Sequence, residues 1–265
     1  MAGKALSGRS IGTVTGLVFY FAFLLTVAPA CALPPGKHYE VMQLNDNIKR
    51  VQFDAKSLRI TCPSGVVIVS HAPDWNVCMF NTTSRRIYRT TEKYFRDRWV
   101  SFPASAMPVL PPESQRRLKL SSLSGFKVVT MTCPVNVELP MAATEIFFAS
   151  DKTRAKRSTF IDQYVYSVCE GDFPPPVGHI LQDLYRVPVD DRFPLHFLRH
   201  IKDSKIFRMG LRTNSFKVVD GKVDVKEPGS YQVCKDPESV YFDSAARQTV
   251  ESGVDALLGE PTGSK

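Results

Sequence analysis

Two histidines stand at a spacing that could support metal binding. His196 and His200 are four residues apart in "HFLRH", a spacing that would place both on one face of a helix. A zinc site normally takes three or four protein ligands, however, and the sequence offers two here. Phe193-Pro194-Leu195 also predicts an extended backbone, which would separate the two rings. We therefore expect no metal site at this pair.

Two neighbouring acids, Asp190 and Asp191, lie between Pro188 and Pro194. Adjacent aspartates in a proline-bounded loop typically form turns, and two-carboxylate chemistry would require a pocket around them. The G-x-S-x-G, phosphate-binding glycine-loop and H-E-x-x-H motifs are absent from the sequence. The sequence therefore predicts a protein that is not an enzyme and uses no cofactor. A hydrolase that uses Asp190 and Asp191 is the least favoured alternative.

The cysteines give no strong sign of redox or metal chemistry. Their spacing contains no C-x-x-C, and the five that follow the amino-terminal segment cannot all pair. Cys62 and Cys78 are predicted two strands apart in a meander, about 9–10 Å, which exceeds the roughly 7 Å that a disulfide spans. One or two disulfides elsewhere in an oxidising compartment are one interpretation. Buried free thiols are the favoured one. The five are Cys62, Cys78, Cys133, Cys169 and Cys234.

The amino terminus predicts export. A short basic region precedes the apolar run "IGTVTGLVFYFAFLLTV", and small residues follow in "APACALPP". This order is typical of a secretory signal peptide over residues 1–32, with cleavage after Ala30 or Ala32. An uncleaved membrane anchor and lipidation of Cys31 are the alternatives. We expect an exported protein of the periplasm or cell envelope.

The charge of the chain bears on its partners. Its 34 Lys and Arg residues exceed its 26 Asp and Glu residues, and the excess is densest in "DKTRAKR" and "RHIKDSKIFR". Such runs are usually solvated, although contact with an anionic membrane surface or an acidic partner is an alternative. Nucleic acid is not expected as a partner, because the exported chain lacks a basic and aromatic binding motif.

Short strands dominate residues 33–235. Apolar runs recur about every ten residues between Pro, Gly and Asn turns, which predicts an antiparallel meander. In "WNVCMF", Trp75, Val77 and Met79 should share one face, with Cys78 and Phe80 on the other. Other predicted strands are "KSLRITC", "VVIVSH", "RRIYRT", "GFKVVTMTC", "TEIFFAS" and two within "KIFRMGLRTNSFKVV".

Helices are predicted at three places: "TEKYFRDRW" (91–99), Val177 to Tyr185, and residues 236–265. In the last, Asp236-Pro237 forms a cap and first turn, and an amphipathic stripe follows. Its apolar residues are Ala246, Val250, Val254, Leu257 and Leu258. This helix should dock on the body, with a lid or partner-binding segment as the alternative. The predicted fold class is mainly β with a few helices.

A half-buried sheet requires an apolar face, which either fills a core or lines a cavity. Met and aromatic side chains make adaptable linings for acyl chains, so an apolar ligand cavity is the functional interpretation. The candidate ligand-binding residues are Ile68, Trp75, Val77, Met79, Ile87, Tyr88, Phe147 and Leu184.

The order of these features resembles a known family. "W-x-V-x-x-F-N" and "R-x-I-Y-R-T" are followed by "ILQDLYRVP...FPLHF" and "FRMGLRTNSFKVV". Across residues 51–233 this pattern resembles the periplasmic lipoprotein carrier and receptor family (LolA/LolB-like) and related uncharacterised bacterial exported proteins. The resemblance implies a curved antiparallel sheet or incomplete β-barrel, with helices covering an apolar cavity that receives lipid chains. It transfers no individual functional residue.

Two hypotheses follow. The first is an exported, non-enzymatic protein that binds a lipid or lipidated partner in an apolar cavity. The second is a structural or interaction protein of the cell envelope with a filled core. A pocket of several hundred cubic ångströms lined by the sheet would favour the first. A sheet face sealed by packed side chains would favour the second.

Overall fold

The computed structural model describes residues 33–45, 47–98, 108–140 and 158–241. These residues form one open, curled sheet of 12 strands with three α-helices. The predicted fold class, mainly β with an incomplete barrel, is confirmed. In the same part of the chain, no helix has both the length and the apolar character needed to cross a membrane.

The strands fall into two sequential groups. The first group comprises β1 (Lys37–Leu44), β2 (Ile48–Phe53), β3 (Ser57–Thr61), β4 (Val66–His71), β5 (Asn76–Asn81) and β6 (Arg86–Thr90). The second comprises β7 (Arg117–Leu123), β8 (Phe126–Pro140), β9 (Ser158–Glu170), β10 (Phe193–Ile201) and β11 (Phe207–Asp220). A short β12 (Gln232–Val233) follows, and the helices are α1 (Glu92–Arg98), α2 (Pro175–Tyr185) and α3 (Glu238–Tyr241).

The two groups are antiparallel meanders joined edge to edge. The spatial order is β12-β6-β5-β4-β3-β2-β1-β11-β10-β9-β8-β7. β1 therefore pairs with β11, with Lys37 opposite Asp220 at one end of the ladder. β12 is parallel to β6, whereas the other ladders are antiparallel. The predicted meander is present. The structure also shows the pairing of β1 with β11, hereafter the seam between the two groups.

The alternation predicted for β5 is observed. Val77 and Met79 belong to a large buried cluster on the inner face of the sheet, hereafter the inner cluster. Cys78 and Phe80 belong to a smaller cluster on the opposite face, hereafter the outer cluster, together with Val67, Val69 and Ile87. Both faces of this part of the sheet are therefore apolar and covered.

Helix α2 packs into the inner cluster. Its residues Val177, Ile180, Leu181 and Leu184 recur at helical spacing, and all of them are buried in that cluster. Prolines occupy the first turn, where no intrahelical N–H bond is lost. The helix ends at Arg186, which adopts the left-handed region (φ 53°). The helix predicted from Val177 to Tyr185 is thus confirmed, with its start at Pro175.

Other local predictions were met in part. Helix α1 forms where "TEKYFRDRW" predicted it, and the Thr91 hydroxyl accepts a hydrogen bond from the Tyr94 N–H at 3.1 Å. The prediction of two strands in "KIFRMGLRTNSFKVV" was wrong, because residues 207–220 form the single strand β11. Its polar and small residues did not break it, since both of its neighbours supply backbone partners.

Several predictions fall outside the described residues. These are the signal peptide over 1–32, the strand "TEIFFAS" and the apolar stripe from Ala246 to Leu258. At the start of the predicted carboxyl-terminal helix, the Asp236 carboxylate accepts a hydrogen bond from the Ser239 N–H at 2.7 Å. Val240 is fully buried in the inner cluster, so this turn is packed onto the body.

Candidate functional site

Most of the predicted ligand-binding residues fill the inner cluster. Ile68 and Met79 are fully buried, and Val77, Tyr88 and Leu184 are at most 8% exposed. Trp75 lies in the turn before β5 and packs, partly buried, against the same cluster. Phe147 lies outside the described residues.

Ile87 lies on the outer face of the sheet, opposite to the face predicted for the ligand-binding residues. In the β5–β6 ladder, Met79 is opposite Tyr88, and Phe80 is opposite Ile87. Directly opposed residues of an antiparallel pair point to the same face. Ile87 therefore belongs with Phe80 in the outer cluster, while Tyr88 shares the inner face with Met79. The expectation that Ile87 shares a face with Trp75, Val77 and Met79 was wrong.

Aromatic side chains occupy much of the inner face near β1, β2 and β10. The Phe53 and Phe193 rings stack with centroids 4.9 Å apart and planes at 20°. Phe173 approaches both of them at 5.7 Å. These are ordinary contact distances for packed aromatic rings. The inner face is thus filled by its own side chains at this position.

A cavity of about 580 Å³ lies beside the segment that precedes β7 and the loop that precedes β10. This volume is within the usual range of small-molecule sites, about 300–1,000 Å³. We call it the rim pocket. Its lining residues are Pro108, Val109, Leu110, Arg116, Val189, Asp190, Asp191 and Arg192. None of the seven candidate ligand-binding residues that the structure describes lines it.

A buried glutamine on α2 holds one wall of the rim pocket. The Gln182 side chain is fully buried. Its Oε1 accepts a hydrogen bond from the Asp190 N–H at 2.9 Å, and its Nε2 donates to the Arg192 carbonyl at 2.9 Å. Gly178, one turn earlier, lets the helix approach, since a Cβ there would come within 3.0 Å of the Arg192 carbonyl oxygen. The loop 189–192 is therefore fixed to α2.

Asp190 and Arg192 form a bidentate ion pair in this wall. The Arg192 Nε and Nη2 donate to the two Asp190 carboxylate oxygens at 2.6 and 2.7 Å. Burial alone would raise the pKa of Asp190, but the hydrogen bonds and charge of Arg192 outweigh burial and lower it. Arg192 also reaches Glu170 at 3.4 Å. An acid with a lowered pKa and both oxygens engaged is poorly suited to proton transfer near neutral pH.

Asp191 has a different partner. Its side chain is 88% exposed, and its Oδ1 lies 3.1 Å from the His179 Nε2. The other ring nitrogen of His179 lies 3.3 Å from a carboxylate oxygen of Glu92 on α1. The two adjacent aspartates are therefore turned toward separate partners, and this arrangement does not bring their carboxylates together as an acid–base pair.

Arg116, which comes directly before β7, also lines the rim pocket. A turn of 3-10 helix (Glu113–Gln115) ends at this residue, whose N–H donates to the Glu113 carbonyl at 3.0 Å. The Arg116 Nε donates to the Pro111 carbonyl at 2.7 Å. Backbone and side chain are both fixed, which sets the direction of the guanidinium.

His196 and His200 are on the extended strand β10, as Phe193-Pro194-Leu195 predicted. The His200 Nδ1 lies 2.6 Å from a carboxylate oxygen of Asp162 on β9. His196 is partly buried, and burial, with the nearby charge of Arg212, lowers its pKa. No group of three or more His, Cys, Asp or Glu side chains with metal-binding geometry occurs in the described part of the chain.

Cys62, Cys78, Cys133 and Cys169 are buried free thiols, as the favoured interpretation predicted, whereas Cys234 is free but only partly buried. Cys62 lies in the inner cluster and Cys78 in the outer cluster, so the sheet separates them. Burial raises the pKa of both Cys78 and Cys169 to about 12. Since the thiolate is the reactive form, these buried thiols are poor nucleophiles.

Comparison with known proteins gives little further information. No protein-family model matches the chain, and no curated protein matches it. Among solved structures, it is similar to an uncharacterised conserved protein from Thermus thermophilus. The identity is 10%, the match covers 76% of this chain and 91% of that chain, and the TM-score is 0.36. That score is too low to establish a shared fold.

Sequence reasoning missed Arg116, Gln182 and Arg192. One signal was available: Gln182 interrupts the apolar stripe of "VGHILQDLY", and a buried polar side chain requires partners. The loop "PVDDRFP" supplies those partners. Arg116 gave no comparable signal, because its role depends on which strand follows it and where that strand lies.

Proposed function

We propose that the protein is a non-enzymatic binding protein for a lipid or a lipidated partner, and that the rim pocket is its ligand site. The observation that supports this is a cavity of about 580 Å³ whose walls include the apolar side chains of Val109, Leu110 and Val189. Val109 is 79% exposed and Val189 is 44% exposed, so apolar surface faces solvent at this site.

The edge strand β7 extends this apolar surface. Leu118 is opposite Met131, and Leu120 is opposite Val129, in the β7–β8 ladder. Met131 and Val129 belong to the inner cluster, so both leucines point to the inner face. They are nevertheless 65% and 61% exposed. A ligand with a long apolar chain would bury them.

Contact links this strand to the rim pocket. The Met131 sulfur lies 3.8 Å from the Nη2 of Arg192, which lines the pocket. Leu118 stands beside Met131 on the next strand. Met131 therefore connects Arg192 in the pocket wall with Leu118 on β7, and we propose that an acyl chain held in the rim pocket continues over the exposed leucines of β7.

A second function is favoured by the filled inner face. The inner cluster buries the residues that were expected to line a sheet-enclosed cavity. This supports a structural or interaction protein of the cell envelope, in which the sheet is a scaffold and the rim pocket has no ligand.

A dye titration separates the two functions. The purified full chain is titrated with Nile red, a neutral apolar dye, and analysed by native mass spectrometry for co-purified lipid. Val189→Glu should weaken dye binding about tenfold or more, equivalent to about 1.4 kcal/mol, because it places a charge in the apolar wall. Val233→Glu is the matched control, since Val233 is also an exposed valine (68%) but lies on β12, outside the pocket lining.

The control should bind the dye as the wild type does. Equal binding by the wild type and both variants would place the site elsewhere, and no binding by any of them would favour the structural function. Melting temperatures of the three proteins show whether the valine changes affect folding.

We also infer an exported location from residues 1–32. The basic start, apolar middle and small-residue step support it. Amino-terminal sequencing of the mature protein tests it, with a start after Ala30 or Ala32 as the expected result. A chain that retains residues 1–32 in the cytoplasm would contradict it.

A further inference from the structure

We infer that the rim pocket selects an amphiphile with an anionic carboxylate or phosphate head group, and that Arg116 binds that head group. The inference rests on the proposed function and adds the chemical class of the ligand. It follows from the charges of the pocket, the geometry of Arg116 and the order of residues along β7.

The four charged residues among the described part of the pocket lining are not equivalent. Asp190 and Arg192 hold each other in a bidentate pair, and Arg192 also pairs with Glu170. The charge of Arg116 helps to lower the pKa of Asp190, but the two side chains form no ion pair among the described residues. Asp191 is directed to His179. Arg116 makes its side-chain hydrogen bond to a neutral acceptor, the Pro111 carbonyl. Among the described residues that line the pocket, Arg116 is the cation that forms no ion pair with a carboxylate.

Arg116 also keeps donors for a ligand. A guanidinium has five N–H donors, and here the Nε takes up the bond to Pro111. The remaining Nη groups match the two oxygens of a carboxylate or phosphate. Because the 3-10 turn and the Pro111 carbonyl already orient the side chain, binding an anion would cost little additional entropy.

The residues after Arg116 place apolar surface beside this cation. Arg116 itself is extended (φ −93°, ψ 133°) and leads directly into β7. Side chains at alternate positions of an extended chain share a face, so those of Arg116, Leu118 and Leu120 point the same way. They are spaced by about 6.6–6.8 Å. In the β7–β8 ladder Leu118 is opposite Met131 of the inner cluster, so the face that Arg116 shares with Leu118 is the inner one.

This order, a cation followed by two exposed leucines, matches an amphiphile with an anionic head and an apolar tail. The apolar side chains of Val109, Leu110 and Val189 surround the head-proximal part of the tail. Arg117, the next residue, points to the opposite face of the strand and has no part in the site.

The test uses four probes with the same tail and different heads: dodecanoate, dodecyl phosphate, dodecyltrimethylammonium and dodecanol. Each displaces Nile red from the full chain at a concentration below micelle formation. The two anionic probes should displace the dye at about tenfold lower concentration than the cationic and neutral probes. The ratio between dodecanoate and dodecyl phosphate shows which oxyanion fits better.

Variants assign the preference to Arg116. Arg116→Gln should abolish the advantage of the anionic probes, measured as the ratio of the displacing concentrations of dodecanoate and dodecanol on the same variant. Arg116→Lys should keep part of that advantage, since it retains the charge but loses the planar fork. Arg117→Gln is the matched control: it removes the same charge one residue away, on the other face, and should leave the preference intact. Melting temperatures confirm that each variant is folded.

The outcomes are distinguishable. If all four heads displace the dye equally from the wild type, the inference is wrong and the proposed function stands. If Arg117→Gln lowers the preference as much as Arg116→Gln does, the preference reflects overall charge and the inference is wrong. If neither Nile red nor any probe binds the wild type, the proposed function itself fails.

Discussion

The two ends of the sheet differ in how they are covered. At the end formed by β4, β5 and β6, the inner cluster covers one face and the outer cluster lies on the other. At the other end, every residue of β7 is exposed, although β8 beside it contributes to the inner cluster. Both faces are therefore packed at one end, whereas the edge strand at the other end keeps its apolar side chains accessible.

At the covered end, the segment that follows β11 packs against the outer cluster. Val225 and Tyr231 pack against the outer cluster, with the Tyr231 and Phe80 rings 6.1 Å apart. Arg89 on β6 donates to Glu227 at 2.7 Å and holds this segment in place. No comparable cover lies on β7 among the described residues, and this is the end where the rim pocket lies. The doubly covered part of the sheet and its exposed apolar side chains therefore lie at opposite ends.

The largest effect on the free energy of unfolding is expected from truncating a side chain at the covered end. Phe80→Ala removes a ring that is 5% exposed and is expected to cost about 3–5 kcal/mol of unfolding free energy. Urea denaturation of the wild type and the variant measures the difference. A loss below about 1 kcal/mol would show that the outer cluster contributes little and would remove the contrast between the two ends.

An intermediate effect is expected at the rim pocket and should depend on pH. Asp190→Asn breaks the ion pair with Arg192 and should cost about 1–3 kcal/mol near neutral pH. The lowered pKa of Asp190 stabilises the fold above the unfolded pKa of about 3.9. That contribution is lost as the pH falls through the lower, folded pKa, so the curves of wild type and variant should converge in acid.

Asp191→Asn is the matched control for this prediction. Asp191 is adjacent, but its side chain is 88% exposed, so the change should alter the unfolding free energy little at any pH. Urea denaturation between about pH 7 and about pH 2 provides the curves, so that the scan passes through the lowered pKa of Asp190. Parallel curves for the wild type and Asp190→Asn would contradict the assigned role of the ion pair.

The smallest effect is expected at the open end. Leu120→Ala should change the unfolding free energy by less than about 0.5 kcal/mol, because the side chain is already 61% exposed. The same variant should weaken binding of dodecanoate if the tail lies along β7. A stability loss similar to that of Phe80→Ala would mean that β7 is covered in solution.

Local periodicity was sufficient to predict much of the fold. The alternation in "WNVCMF" placed Val77 and Met79 on one face, and the proline-bounded apolar stripe predicted α2. Both signals depend on neighbours within a few residues, which a single sequence contains. The resulting fold class, mainly β with an open curled sheet, followed from the succession of such segments.

Features that depend on register or on distant pairing could not be predicted. The face of Ile87 is set by the turn between β5 and β6, where a shift of one residue reverses every side chain. The rim pocket combines residues 108–110, Arg116 and residues 189–192. These segments meet because α2 fixes the loop before β10, and the sequence alone does not state that contact.

The seam between β1 and β11 has a consequence for the speed and order of folding. The strands from β1 to β6 can pair with sequence neighbours as soon as each is available. Lys37, however, finds its partner Asp220 only after most of the chain has been made. Contacts of such high sequence separation close large loops and slow the folding of β proteins. Until β11 arrives, β1 is an unpaired strand edge on a partly formed sheet, which is the kind of intermediate that chaperones protect from aggregation.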